Sequence, residues 1–399
     1  MKPRQRLNVL YTDIGRGHPF YLDGLVSCLR AGYAGSIELE ITSVMSVSGG
    51  LSLKLWRTVR SLYRAGSQGG LKSALYTMLR GKNRPRRGGL ITGLLGRDLV
   101  RYIHEHRHPT VVAHPLLVPL LAESVPVYYM HGEIAAPEAA AAEGASRVYV
   151  PLDETARCLV AYGLKPESMV LTGLCIEPAL ADRAAVMVTK RINRLQHHDR
   201  LVGAFYSSGA EPAPHLAKML AALDSLERAG QKAIVFCPAG GRLEAALLDR
   251  INVRRFKAGV PGESFIDAIR DTNILTVIYS DRKQLDSSTA SLFKYFDYLV
   301  APSHERSNWA AGLGLPMFIT GPSIGPFSPL NREFLLRQEV AVDLDTDEKA
   351  GTLAGILADM LDSGKLAAMA RNGTGGYAID GFSRAASDLA AAITGGAAV

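Results

Sequence analysis

Short apolar runs alternate along the chain with stretches whose apolar positions recur every three or four residues, a rhythm that predicts a parallel α/β architecture. The first series opens with the strand RLNVLYTD, the loop IGRGHPF and the helix YLDGLVSCLRAGY. It continues through IELEITSV, PTVVAHP, VPVYYMH, SRVYVP and SMVLTGLCI. The second opens with RLVGAFYSSGAEP and a helix from about His215 to Ala229, then runs through KAIVFCP, ILTVIYS, DYLVAPS and LPMFITGP. Between them Glu177 to Asp199 is charged and lacks a β-rich run, and reads as an interdomain connection. Both halves begin with a strand, a glycine loop and a helix. The pattern therefore predicts two Rossmann-like domains, 1–180 and 181–375, with parallel sheets facing across a cleft. The Ala-rich stretch SRAASDLAAAITGG within 376–399 predicts a terminal helix packed on the last sheet.

With 399 residues and 47% hydrophobic content, the chain can bury two cores, which excludes a disordered or fibrous protein. Cys28, Cys158, Cys175 and Cys237 show no CxxC spacing, so neither a disulfide framework nor a cysteine zinc site is expected. The apolar run at the N-terminus ends at Asp13, too early for a signal-peptide core, and no 18-residue apolar stretch occurs. A reducing cytoplasm is the expected compartment.

Charge changes the picture locally. Residues 51–108 hold thirteen Lys/Arg against Asp98 and Glu105, a local charge of +11 that leaves the other 341 residues at about −4 within a whole-chain +7. Within the segment 51–90, Leu51, Leu53, Leu55, Trp56, Val59, Leu62 and Tyr63 alternate with cations, and Leu71, Leu75, Tyr76 and Leu79 repeat the mixture. An apolar stripe beside Lys and Arg predicts a helix lying on an anionic membrane surface through Lys54–Arg87. No nucleic-acid motif accompanies the charge, so nucleic acid is not an expected partner.

The sharpest candidate for chemistry is Asp13-Ile14-Gly15-Arg16-Gly17-His18, between the first strand and the first helix. Phe20 stands where a dinucleotide fingerprint needs glycine, and no Walker A loop is present. What remains is a glycine-flanked histidine at a strand end, where His18 can accept a proton from a hydroxyl, with Gly15, Arg16 and Gly17 as the surrounding loop. In the second half, Ser207, Ser208 and Gly209, then Gly240, then Ser303, His304, Glu305, Ser307 and Asn308 follow successive strands. Such small polar loops predict one nucleotide-diphosphate site. His104, His106 and His108 alternate and do not converge on a metal, and Asp343 to Asp347 reads as helix capping. No metal or cofactor is expected.

With these loops placed, the chain resembles glycosyltransferases of the GT-B fold, and is most similar to the branch of monogalactosyldiacylglycerol synthases and the N-acetylglucosaminyltransferase that makes lipid II. The resemblance rests on Gly15, Gly17 and His18, on Leu171 to Ile176 closing the first domain, on Gly314-Leu315-Pro316, and on Asn331. The family's donor-ribose glutamate is replaced here by Trp309, with Glu305 out of register, and its usual glutamine is missing from Gly325 to Leu330. The resemblance implies metal-independent, inverting transfer of a sugar from a UDP-sugar to a hydroxyl of a lipid or lipid-linked acceptor. His18 would be the base, at the inner face of the membrane. Two other readings of the same architecture are a nucleotide-sugar 2-epimerase, which needs further acids and bases around the sugar in the second domain, where Glu305 and His304 are candidates, and a non-catalytic nucleotide-sugar-binding protein.

Overall fold

The computed structural model describes residues 3–12, 14, 17–66, 90–197, 200–248, 254–257 and 271–395. The chain divides into two compact units, Met1–Pro178 with Tyr377–Val399, and Ala179–Gly376.

The first unit is built on six strands: β1 (Gln5–Tyr11), β2 (Ile37–Ser43), β3 (Thr110–Val112), β4 (Val127–Met130), β5 (Arg147–Val150) and β6 (Met169–Leu171). They lie in the order β2-β1-β3-β4-β5-β6, and every pairing is parallel. Helices cover such a sheet on both faces, which is why its central strands read as unbroken apolar runs. The first helix, Gly17–Tyr33, turns Tyr21, Leu22, Leu25, Val26 and Leu29 toward the sheet.

The terminal helix Gly381–Thr394 packs in this first unit and not on the last sheet, which corrects the sequence expectation. Phe382, Ala385, Ala386, Leu389 and Ala390 share one core with Leu22, Leu25 and Val26. A Cβ on Gly24 would stand 2.4 Å from the Phe382 ring, so glycine is what lets the two helices meet. Asp388 adds an ion pair with Arg147 on β5.

The second unit holds β7 (Val202–Tyr206), β8 (Lys232–Pro238), β9 (Arg254–Lys257), β10 (Ile274–Tyr279), β11 (Tyr298–Ala301), β12 (Met317–Thr320) and β13 (Ala341–Leu344). Their order is β13-β12-β11-β7-β8-β10-β9, again all parallel. Gly203 on β7 opposes Tyr298 on β11, and a Cβ there would come within 2.5 Å of the tyrosine ring.

The charged stretch after Glu177 is no mere connection. Ala184–His197 is a helix of the second unit, with Leu195 in the core and Arg191 wholly buried. Asp343 lies on β13, paired with Arg332, and the helix start that follows is capped by the Thr346 hydroxyl accepting from Lys349 N–H.

Candidate functional site

In a sheet wound in two directions from its middle, ligands bind beyond the carboxyl ends of the two strands where the winding reverses. In the first unit those strands are β1 and β3. His18 begins the helix after β1, and His114 stands two residues past β3; their ring centroids are 4.5 Å apart at 56°. His114 is buried, and its Nδ1 accepts the Leu116 N–H at 3.2 Å, so the neutral ring carries its proton on Nε2.

The neighbouring strand, β4, runs straight into His131-Gly132-Glu133. His131 is buried with Nε2 3.2 Å from the Ala135 carbonyl and Nδ1 3.1 Å from the Tyr129 hydroxyl. Its Nε2–H donates to the carbonyl, and Nδ1 accepts from the phenol. Burial pulls its pKa down to about 4, opposed only by the bond to Ala135, so the ring is neutral at physiological pH. A Cβ on Gly132 would lie 2.0 Å from the Tyr21 ring, so the chain leaves β4 pressed against the first helix. That path carries the half-buried Glu133 to the helix N-terminus, with Oε1 3.0 Å from where a Cβ of residue 17 would stand. Negative charge is favoured at that end of a helix. The Cys175 thiol, its pKa pushed up chiefly by burial, also feels the Glu133 charge.

The sequence singles out His18 as a candidate, and the structure sets His114 beside it, with His131 and Glu133 after the neighbouring strand, none of which was singled out. The available signal was position: an ionisable side chain directly after an apolar strand, as in VVA-His114 and YYM-His131-Gly-Glu133. Gly15 and Arg16 lie outside the described residues, while Gly17 opens the first helix.

In the second unit the winding reverses between β7 and β11, and the order β11-β7-β8 brings the three small polar loops to adjacent strand ends. Ser207 and Ser208 are buried and Gly209 is exposed. The Ser207 hydroxyl reaches Glu211, a buried residue at φ +45°, whose carboxylate also accepts the Arg242 N–H at 2.6 Å. Gly240 N–H donates to Glu244 at 2.7 Å. Two of the backbone donors in the β8 turn thus already serve the unit's own carboxylates.

After β11, Ser303 is buried and its hydroxyl donates to the Ser328 carbonyl at 2.7 Å. His304 lies near enough to His215 for their charges to interact. Glu305 pairs with Arg306 at 3.5 Å, and Ser307 and Asn308 open the next helix in buried positions. Asn331, three residues beyond Ser328 on one helix, is fully buried with neither amide atom hydrogen-bonded. Trp309 is also buried, set edge-on to Tyr206 and Phe293 with the Arg306 guanidinium 4.9 Å from its ring centre. An indole in that packing offers no carboxylate to a ribose.

No family model matches the chain, and no curated protein does. Solved structures do. The S. aureus MnaA–UDP structure is 11% identical with TM-score 0.57, covering 96% of this chain and 94% of its own. UDP-GlcNAc 2-epimerase from Neisseria meningitidis bound to UDP-GlcNAc is 10% identical with TM-score 0.57, covering 96% and 98%. UDP-GlcNAc 2-epimerase from Methanocaldococcus jannaschii with UDP-GlcNAc and UDP is 11% identical with TM-score 0.55, covering 98% and 100%. These matches overturn the expectation of a glycosyltransferase acting on a lipid, since the Neisseria and Methanocaldococcus structures, each matched over nearly all of its length, are of UDP-GlcNAc 2-epimerases. At such identities the likeness is one of fold, and the chain has the GT-B arrangement of two Rossmann-like α/β domains.

Proposed function

We propose that this protein is an enzyme that inverts carbon 2 of a nucleotide-diphosphate sugar, with a UDP-N-acetylhexosamine as the substrate to try first. The observation that carries the reading is the cluster on the first unit: His18, His114 and Glu133 at the ends of β1, β3 and β4. Inverting C2, which no carbonyl acidifies, requires one group to take its proton while the electron pair forms a C1=C2 bond and the nucleotide diphosphate leaves C1; the diphosphate then returns to C1 as a second group supplies a proton to the opposite face of C2. Adjacent imidazoles beside a carboxylate provide such a set, whereas sugar transfer to a hydroxyl needs a single base. His131, neutral and held at both nitrogens, is a positioning residue that fixes the turn presenting Glu133. The fold shared with 2-epimerases is the second support.

Nucleotide retention is assigned to the second unit, through Ser208 and Asn331, whose buried polar atoms lack protein partners, and His304. One further reading is binding without turnover; Trp309 is buried where the glycosyltransferases that the sequence resembles carry a glutamate, a change that such a protein would tolerate.

Incubation with UDP-N-acetylglucosamine in deuterated water, followed by proton NMR, tests the proposal. The expected result is loss of the C2 proton signal and growth of the 2-epimer. His114→Ala and Glu133→Gln should each slow exchange by roughly 10²-fold or more. Binding of the nucleotide sugar without exchange would establish the non-catalytic reading instead.

A further inference from the structure

The basic, amphipathic helix Gly50–Gly66 is not used by the reading above, and the structure divides its apolar residues between two faces. Trp56 is fully buried, and its Nε1 donates to the Leu95 carbonyl at 3.1 Å; the Ser52 hydroxyl donates to the same carbonyl at 3.0 Å. This side packs on the helix Leu90–Glu105. The single stripe expected from sequence is therefore corrected, because Trp56 faces inward.

Leu51 and Leu62 face outward, each 57% exposed. They are eleven positions apart, roughly three helical turns, so they share one face, with half-buried Leu55 and exposed Thr58 between them. Lys54 and Arg57 flank them and are exposed, as are Arg97 and Arg101 on the neighbouring helix. Lys72 to Arg87, which continue the basic run, lie outside the described residues.

We propose that this outward face docks on an anionic lipid bilayer, the two leucines entering the headgroup boundary while the cations meet lipid phosphates. The helix would lie in the plane of the surface; no described helix is long and apolar enough to cross it. Charge complementarity selects the partner's sign, since residues 51–108 carry thirteen cations against two acids. The leucines select bilayer over nucleic acid, because a phosphate backbone would leave two large apolar side chains against a charged, hydrated surface.

Co-sedimentation of the full chain with vesicles of phosphatidylcholine plus phosphatidylglycerol, and of phosphatidylcholine alone, tests this. Binding is expected only to the anionic vesicles and should weaken with added salt. Leu51→Gln with Leu62→Gln, which keeps helix propensity, should lower partitioning roughly tenfold. Lys54→Gln with Arg57→Gln should lower it about fivefold per charge removed. A circular-dichroism melt matching the parent keeps a loss of binding from being a loss of fold. Wild-type binding by the double leucine variant, equal binding to neutral vesicles, or tighter binding to single-stranded RNA untouched by the leucine changes would each overturn the proposal.

Discussion

At the scale of single residues, the first unit's cluster depends on how closely Glu133 is held to the first helix. Gly17→Ala places a methyl 3.0 Å from Glu133 Oε1, tighter than such contacts normally stand, while alanine is a better helix former than glycine. The expected outcome is a melting temperature at or slightly above the parent with exchange at C2 slowed about tenfold, read by the NMR assay. His131 and His215 make a second prediction. Both are buried, and burial pulls both down to about 4; His215 donates from Nε2 to the Pro322 carbonyl, with His304 and Lys218 lowering it further. Unfolded imidazoles titrate near 6.5, so between about 6.5 and 4 the unfolded chain binds more protons than the folded one. Stability is fully present above 6.5 and is lost as pH falls, by an upper bound of about 3 kcal/mol per histidine. Urea unfolding at pH 7.5 and 5 measures the slope, and His131→Gln should flatten it.

At the scale of elements, the helix Ala184–His197 shows what the sequence conceals. Its charge made it look like a connection, yet Arg191 is buried and donates to the carbonyls of Phe296, Leu313 and Gly314, with its guanidinium 5.1 Å from the Phe293 ring centre. Burial lowers its pKa to about 9, so it remains charged at neutral pH. Arg191→Met is expected to destabilise the second unit by roughly 3 kcal/mol, because several buried carbonyls lose their donor; the urea midpoint reports it. Legibility followed the same physics. Strands buried on both faces, such as β1, β4, β7 and β11, announce themselves as apolar runs. Arg254–Lys257 at the sheet edge carries three cations and gives no such signal, and neither does β13, where Asp343 pairs with Arg332. His18 was legible because glycines surround it. His114 and Glu133 each follow an apolar run in the sequence, but their grouping with His18 becomes visible only when strand order sets β1, β3 and β4 side by side.

At the scale of the molecule, the chain leaves the first unit once and returns to complete it. Residues 179–376 form one continuous compact unit, whereas the first needs Tyr377–Val399 to cover its core. The exit and return points are already joined by hydrogen bonds: Leu174 N–H donates to the Ala378 carbonyl at 2.7 Å, and Gly381 N–H to the Leu174 carbonyl at 3.1 Å. Glycine permits this closeness, since a Cβ on Gly381 would stand 2.4 Å from the Gly173 carbonyl oxygen. Excising 179–376 and joining Pro178 to Tyr377 through a short glycine linker should therefore yield a folded first unit, because the bridged backbone ends stay where they are. Residues 1–178 alone should not fold stably, since Leu22, Leu25 and Val26 would lose the cover of Phe382, Ala385 and Leu389, and Phe382→Ala in the joined chain should cost about 3–5 kcal/mol. Cooperative thermal unfolding of the joined chain, absent from 1–178, is the expected result. Equal stability of the two fragments would show that the terminal helix is dispensable to this core.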